Sequence, residues 1–78
     1  MPHVIVKLYA GKSEEQKARL AEEITRAVMA AVGSKEAAVS VGIEDVAPAD
    51  WVETVYKPDI LGKPGTLYKK PGYDPMGG

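Results

Sequence analysis

Two short runs of alternating apolar residues flank one long helical stretch, and this arrangement narrows the possible folds sharply. Residues 3 to 9, His-Val-Ile-Val-Lys-Leu-Tyr, are rich in β-branched and aromatic side chains. Val4, Val6 and Leu8 share one face of a strand, and Ile5, Lys7 and Tyr9 share the other. Ala10-Gly11-Lys12 ends it. Ser13 then opens Ser-Glu-Glu-Gln, a capping box with Ser13 as N-cap and Gln16 reaching back. Glu14 and Glu15 fall in the first turn, where the helix dipole favours anions. A stripe of Leu20, Ile24, Ala27, Val28, Ala31 and Val32, with Ala21 beside it, carries the helix to about Val32. Gly33 suits the left-handed position just beyond it. Residues 38 to 46 alternate again, with Val39, Val41 and Ile43 on one face and Ser40, Gly42 and Glu44 on the other. Strand, helix, strand predicts an α/β (α+β) β-α-β unit with parallel strands and a right-handed crossover.

The remainder is punctuated more densely. Pro48 fits the first position of a short second helix over Ala49 to about Tyr56. Residues 57 to 78 hold four prolines and five glycines. Short helical turns and loops are expected there, with a small hairpin near Leu67 to Lys70 and a frayed end over about residues 74 to 78. The whole, residues 1 to 78, reads as a single domain.

Such a unit is hard to stabilise alone. At 78 residues a chain buries only about 60% of its unfolded surface, and a fold of this size usually needs a staple. There is no cysteine, which removes disulfides, thiol catalysis and thiolate metal sites. His3 is the only histidine, which removes histidine-based zinc sites and a Ser-His-Asp triad within one chain. Association of subunits is the staple that is left. Two β-α-β units joined edge to edge would give a four-stranded sheet and a homodimer. The net charge of −1 argues against a nucleic-acid binder. No apolar run is long enough for a membrane span and no signal peptide is legible, so a cytoplasmic protein without membrane partners is expected.

Pro2 is the strongest candidate for chemistry. Initiator methionine is normally removed ahead of proline, and the mature chain would then begin with a free secondary amine. Burial or a nearby cation would lower that amine's pKa toward neutrality, where a general base is most effective.

The opening Pro-His-Val-Ile-Val-Lys and the segment Lys12-Ser13-Glu14-Glu15-Gln16-Lys17 together resemble the 4-oxalocrotonate tautomerase family. The ending Tyr68-Lys69-Lys70-Pro71-Gly72-Tyr73 is similar to that of its longer, dimeric bacterial subgroup with phenylpyruvate-type activity, the PptA-like proteins. The resemblance covers the layout of essentially the whole chain. It implies a β-α-β fold that dimerises through its sheet, and in some members a trimer of dimers. It also implies cofactor-independent keto-enol tautomerisation of small 2-hydroxyalkenoate or arylpyruvate enol acids, with the amine of Pro2 as general base and acid. Lys12 falls where the family commonly has an arginine that contacts the substrate's carboxylate or carbonyl oxygen; lysine keeps the charge and loses the two-pronged geometry. Ser40 falls where well-known members have a second arginine, so a cation is replaced by a hydroxyl. Trp51 falls at an aromatic position that walls the family's active site.

Other residues read as structural. Tyr56, Tyr68 and Tyr73 are expected to supply contact area, and His3 to be a surface histidine on the opposite side of its strand from Pro2. Met29 and Met76 carry no functional signal. Two further readings stay open at this point. One keeps Pro2 but hydrates, dehalogenates or decarboxylates its substrate; it requires an acidic side chain, for which Glu44, Asp45 and Asp50 are the local options. The other is a dimeric interaction module without catalysis.

Overall fold

The computed structural model describes residues 1–77, so of the expected loose end Gly78 lies outside the described residues. Strand β1 (His3–Tyr9) leads into helix α1 (Glu14–Val32), and strand β2 (Ser40–Val46) pairs with β1 in a two-stranded parallel sheet. The β-α-β unit is therefore present. The chain forms two compact units, Met1–Asp45 and the segment from Val46 onward.

In the first unit the local signals act as the sequence predicts. The Ser13 hydroxyl accepts from the Gln16 backbone N–H at 3.1 Å, and the Gln16 side chain accepts from the Ser13 N–H at 2.9 Å. Two otherwise orphaned amides of the helix start are satisfied reciprocally. At the other end Gly33 takes φ 74°, a left-handed conformation, and its N–H donates to the Met29 carbonyl at 3.1 Å. Val4, Val6 and Leu8 are half-buried, whereas Ile5 and Tyr9 are exposed. The stripe on α1 is narrower than expected. Leu20, Ala21, Ile24, Thr25 and Val28 are half-buried, but Ala27, Ala31 and Val32 are exposed. Lys17 extends this stripe by one turn. Its ammonium donates to Asp45 at 2.9 Å and pairs with Glu14 at 3.1 Å, which ties the helix start to the end of β2. Those two hydrogen bonds, Asp45 first, raise its pKa above the ordinary lysine value.

In the second unit a 3₁₀ turn (Pro48–Asp50) precedes a π-helix (Val52–Leu61). The expected helix ending near Tyr56 is corrected: it continues through Pro58 to Leu61. In an α-helix the proline ring would clash with the carbonyl four residues back and end the helix. A wider π turn, with bonds to the fifth residue back, relieves that contact. The turn closes as Gly62 N–H donates to the Lys57 carbonyl at 2.8 Å. The hairpin expected near Leu67 to Lys70 is also absent. A 3₁₀ turn (Pro64–Thr66) is followed by irregular chain, because Gly65, Pro71 and Gly72 leave no run long enough for two paired strands. Residues 74 to 77 form a turn in which the Asp74 carboxylate accepts from the Met76 N–H at 2.9 Å.

Among the described residues the buried apolar side chains are Val46, Val55 and Tyr56, all in the second unit. No residue of the first unit is buried.

Candidate functional site

Pro2 stands at the head of β1, where the parallel sheet begins. Its carbonyl accepts from the Ser40 backbone N–H at 3.1 Å, which fixes the proline against the first residue of β2. The residue is half-buried, while Met1 is fully exposed, so removing Met1 forfeits no packing. With Met1 attached the proline nitrogen is an amide and carries no basic lone pair. Without it the nitrogen is a secondary amine at the end of a strand.

The pairing of Ser40 with Pro2 sets the register. In a parallel ladder a residue donates to the residue before its neighbour, so Ser40 lies beside His3. The side chains confirm it: His3 Nδ1 and Ser40 Oγ are 2.6 Å apart. Both project from the face opposite the Pro2 ring. His3 is exposed, as the alternation predicts, but it is engaged with a candidate substrate contact rather than solvated. The sequence reading, which begins the second strand at residue 38, misses this register by two residues; β2 begins at Ser40 because a 3₁₀ turn (Glu36–Ala38) precedes it.

Lys12 lies elsewhere. It is exposed in the turn that leaves β1, after Gly11, whose φ of 123° suits glycine. Leu8, Lys12, Gln16, Lys17 and Leu20 line an open depression of about 240 Å³ there. Seven strand residues separate the head of β1 from its end, roughly 23 Å at 3.3 Å per residue. A lysine side chain does not cover that distance. Within one chain the structure therefore joins Pro2 to Ser40 and leaves Lys12 at the far end of the strand.

Trp51 belongs to the second unit. It is half-buried, and its indole N–H donates to the Tyr73 hydroxyl at 2.9 Å. The Tyr73 ring lies 5.8 Å from that of Tyr56, tilted by 42°. Burial, and then the charge of Asp74, push the Tyr56 hydroxyl pKa upward, so it stays protonated at neutral pH. A cavity of about 320 Å³ in this unit is lined by Tyr56, Tyr73, Lys70 and apolar residues. The Trp51–Tyr73 bond spans 22 positions, across the π-helix, a 3₁₀ turn and irregular chain, and no periodic signal announces it.

Of the three carboxylates weighed for water activation, Asp45 is committed to Lys17, and Glu44 and Asp50 are exposed. No group of three or more histidine, aspartate or glutamate side chains among the described residues is arranged to hold a metal. No helix among them is long and apolar enough to cross a membrane.

Comparison with known proteins bears directly on this arrangement. A family model described as tautomerase enzyme matches residues 2–55, beginning at the proline. A probable tautomerase of Xylella fastidiosa is 44% identical over 73 residues, covering 94% of this chain and 89% of that protein. Tautomerase PptA of Cronobacter sakazakii is 37% identical over 75 residues, covering 95% and 99%. Among solved structures, a 4-oxalocrotonate tautomerase isozyme from Methylibium petroleiphilum superposes with a TM-score of 0.63 at 40% identity, covering 64% of this chain and 81% of that one. A matched family model over most of the chain, close relatives along nearly its full length and a shared β-α-β fold lead to one conclusion: the chain belongs to the tautomerase family, whose enzymes are isomerases.

Proposed function

We propose that the chain is a cofactor-independent keto-enol tautomerase in which the free amine of Pro2 is the general base and acid. Its substrates in this reading are small 2-hydroxyalkenoate or arylpyruvate enol acids. The neutral amine takes the proton of the enol hydroxyl. Electrons from the O–H bond form the carbonyl, and the carbon–carbon π pair takes the proton back from the prolinium. The product is the keto acid, and Pro2 returns to its starting state. The observation that carries the reading is the position of Pro2: a half-buried residue at an open strand head, where the family match begins.

Lys12 is assigned to the negative charge of the substrate carboxylate and of the developing enolate. The strand length argues that it serves a Pro2 other than its own. A homodimer meets that requirement, since edge pairing of two β-α-β units sets strand heads of one copy against strand ends of the other. Burial supports the same assembly. The first unit has no fully buried side chain, and Ile5 and Tyr9 are 54% and 50% exposed on one face of a two-stranded sheet. Ser40 contributes a hydroxyl to a substrate oxygen, a role supported by the resemblance alone, since its side chain leaves the sheet on the face opposite the Pro2 ring. Trp51 contributes its ring, a role supported by the resemblance alone, since its N–H is held by Tyr73. A cytoplasmic setting is part of this reading.

With a hydroxyl at Ser40 in place of a second cation, monocarboxylate enols are favoured over dicarboxylates. Ultraviolet assay of both substrate types tests this. Faster ketonisation of phenylenolpyruvate than of a dienol dicarboxylate is expected. A strong preference for the dicarboxylate would contradict the substrate assignment.

A further inference from the structure

The cavity of about 320 Å³ in the second unit has no part in the Pro2 chemistry. Its volume stands at the lower end of the range for small-ligand sites, about 300–1,000 Å³. It exceeds the ~150 Å³ in which an apolar cavity holds a benzene ring. Ile60, Leu67 and Pro71 supply apolar wall, and Tyr56 and Tyr73, with ring centroids 5.8 Å apart, supply aromatic wall. Proline and tyrosine have little conformational freedom to lose, so this wall is ordered before any ligand arrives.

Three polar groups interrupt the lining, and all of them have a proton to give. Lys70 is its cation, and it pairs with no carboxylate among the described residues. Tyr56 is only 7% exposed, and its hydroxyl bonds to no group among those residues. Every buried polar side-chain atom among them has a partner, so this hydroxyl keeps an accessible edge. The Tyr73 hydroxyl accepts from the Trp51 N–H at 2.9 Å and retains its own proton to donate. We propose that this cavity is a second binding site, for a small aromatic monocarboxylate, whose ring fills the apolar lining while its carboxylate accepts from Lys70 and the two tyrosine hydroxyls. A carboxylate offers lone pairs and no proton, which matches a set of donors. A second carboxylate on the ligand would lie against apolar wall, and Lys70 repels a cation. Asp74 is the anion whose charge Tyr56 senses, but its carboxylate accepts from the Met76 N–H and does not line the cavity. The site stands whether or not Pro2 is the catalytic base.

Trp51 is the only tryptophan, and the residue that holds its indole also lines the cavity, so its fluorescence reports occupancy. The experiment titrates phenylacetate into the whole protein. A saturable change with a Kd of about 0.1–1 mM is expected. Phenylacetamide, which is uncharged, and phenethylamine, which is cationic, should each bind about tenfold more weakly or worse. Lys70→Met, at an exposed position, should raise the phenylacetate Kd about tenfold, and Tyr56→Phe, which keeps the ring, about three- to tenfold. Pro2→Ala and Lys12→Ala should leave it unchanged. A titration without saturation, or equal binding of the three probes, overturns the proposal. So does a Kd that ignores Lys70→Met but rises in Lys12→Ala, which would assign the ligand to the Pro2 site. The readout needs no turnover, so failure of the Pro2 assignment and failure of this one are separately visible.

Discussion

Mixing two inactive variants tests the distance between Pro2 and Lys12. The strand that separates them is seven residues long, roughly 23 Å, so Lys12 must act on the Pro2 of another copy if it acts at all. Take Pro2→Ala and Lys12→Ala, each assembled alone and each nearly inactive. When the two are unfolded together and reassembled at equal amounts, a working site needs its proline from the Lys12→Ala chain and its lysine from the Pro2→Ala chain. Random assembly supplies that combination at about a quarter of the sites, in a dimer or any larger symmetric assembly. Phenylenolpyruvate ketonisation should therefore recover to about a quarter of the wild-type rate per chain. If Lys12 served its own Pro2, every site in the mixture would lack one partner, and no recovery would occur. Mixed samples no more active than the better parent would refute the strand-length argument and put Lys12 beside its own Pro2, whereas a Lys12→Ala variant as active as wild type would refute the role of Lys12.

Three predictions concern the fold. Ser13→Ala removes the capping box and should cost about 1 kcal/mol, a fall in melting temperature of about 4–8 °C for a domain this size, measured at fixed protein concentration; no change would mean that the box is not formed. Gly62→Ala places a Cβ 2.6 Å from the Pro58 carbonyl oxygen and should destabilise by about 1–3 kcal/mol in urea unfolding, whereas Gly65→Ala, which meets nothing within 4 Å, should change little. Lys17 has its folded pKa raised by Asp45 and Glu14. Its stabilisation is therefore complete below the ordinary value of 10.5 and lost as pH rises through the folded value. The urea midpoint of wild type should fall more steeply than that of Lys17→Met over that alkaline interval, and parallel curves would contradict the pairing.

The elements legible in the sequence are those set by local rules. Ser13 and Gln16 cap α1 because, at a helix start, each side-chain oxygen can accept from the other residue's backbone N–H, and Gly33 ends it because few other residues accept its φ. The alternation in β1 and β2 likewise fixes which side chains share a face. Elements decided by competition between local terms are harder to read. Pro58 breaks an α-helix but is absorbed by a π-helix, so the second helix runs five residues past the expected Tyr56. Gly and Pro near Leu67 signal turns without saying whether strands lie between them. For the site, Pro2 and Ser40 are legible as candidates and their adjacency follows from parallel pairing once β2 begins at Ser40. Engagement of Ser40 by His3 depends on register to a single residue, and the bond from Trp51 to Tyr73 depends on the path of an irregular segment. Neither leaves a periodic trace.

The central claim is that an unblocked Pro2 amine moves the proton. Its most direct test is the intact mass of the chain from its natural host, with phenylenolpyruvate turnover measured on the same sample beside Pro2→Ala. The account predicts a mass short of the full sequence by one methionine residue, and a loss of about 10²-fold or more in the variant. A fully active enzyme that retains Met1, or a Pro2→Ala variant as fast as wild type, would contradict it.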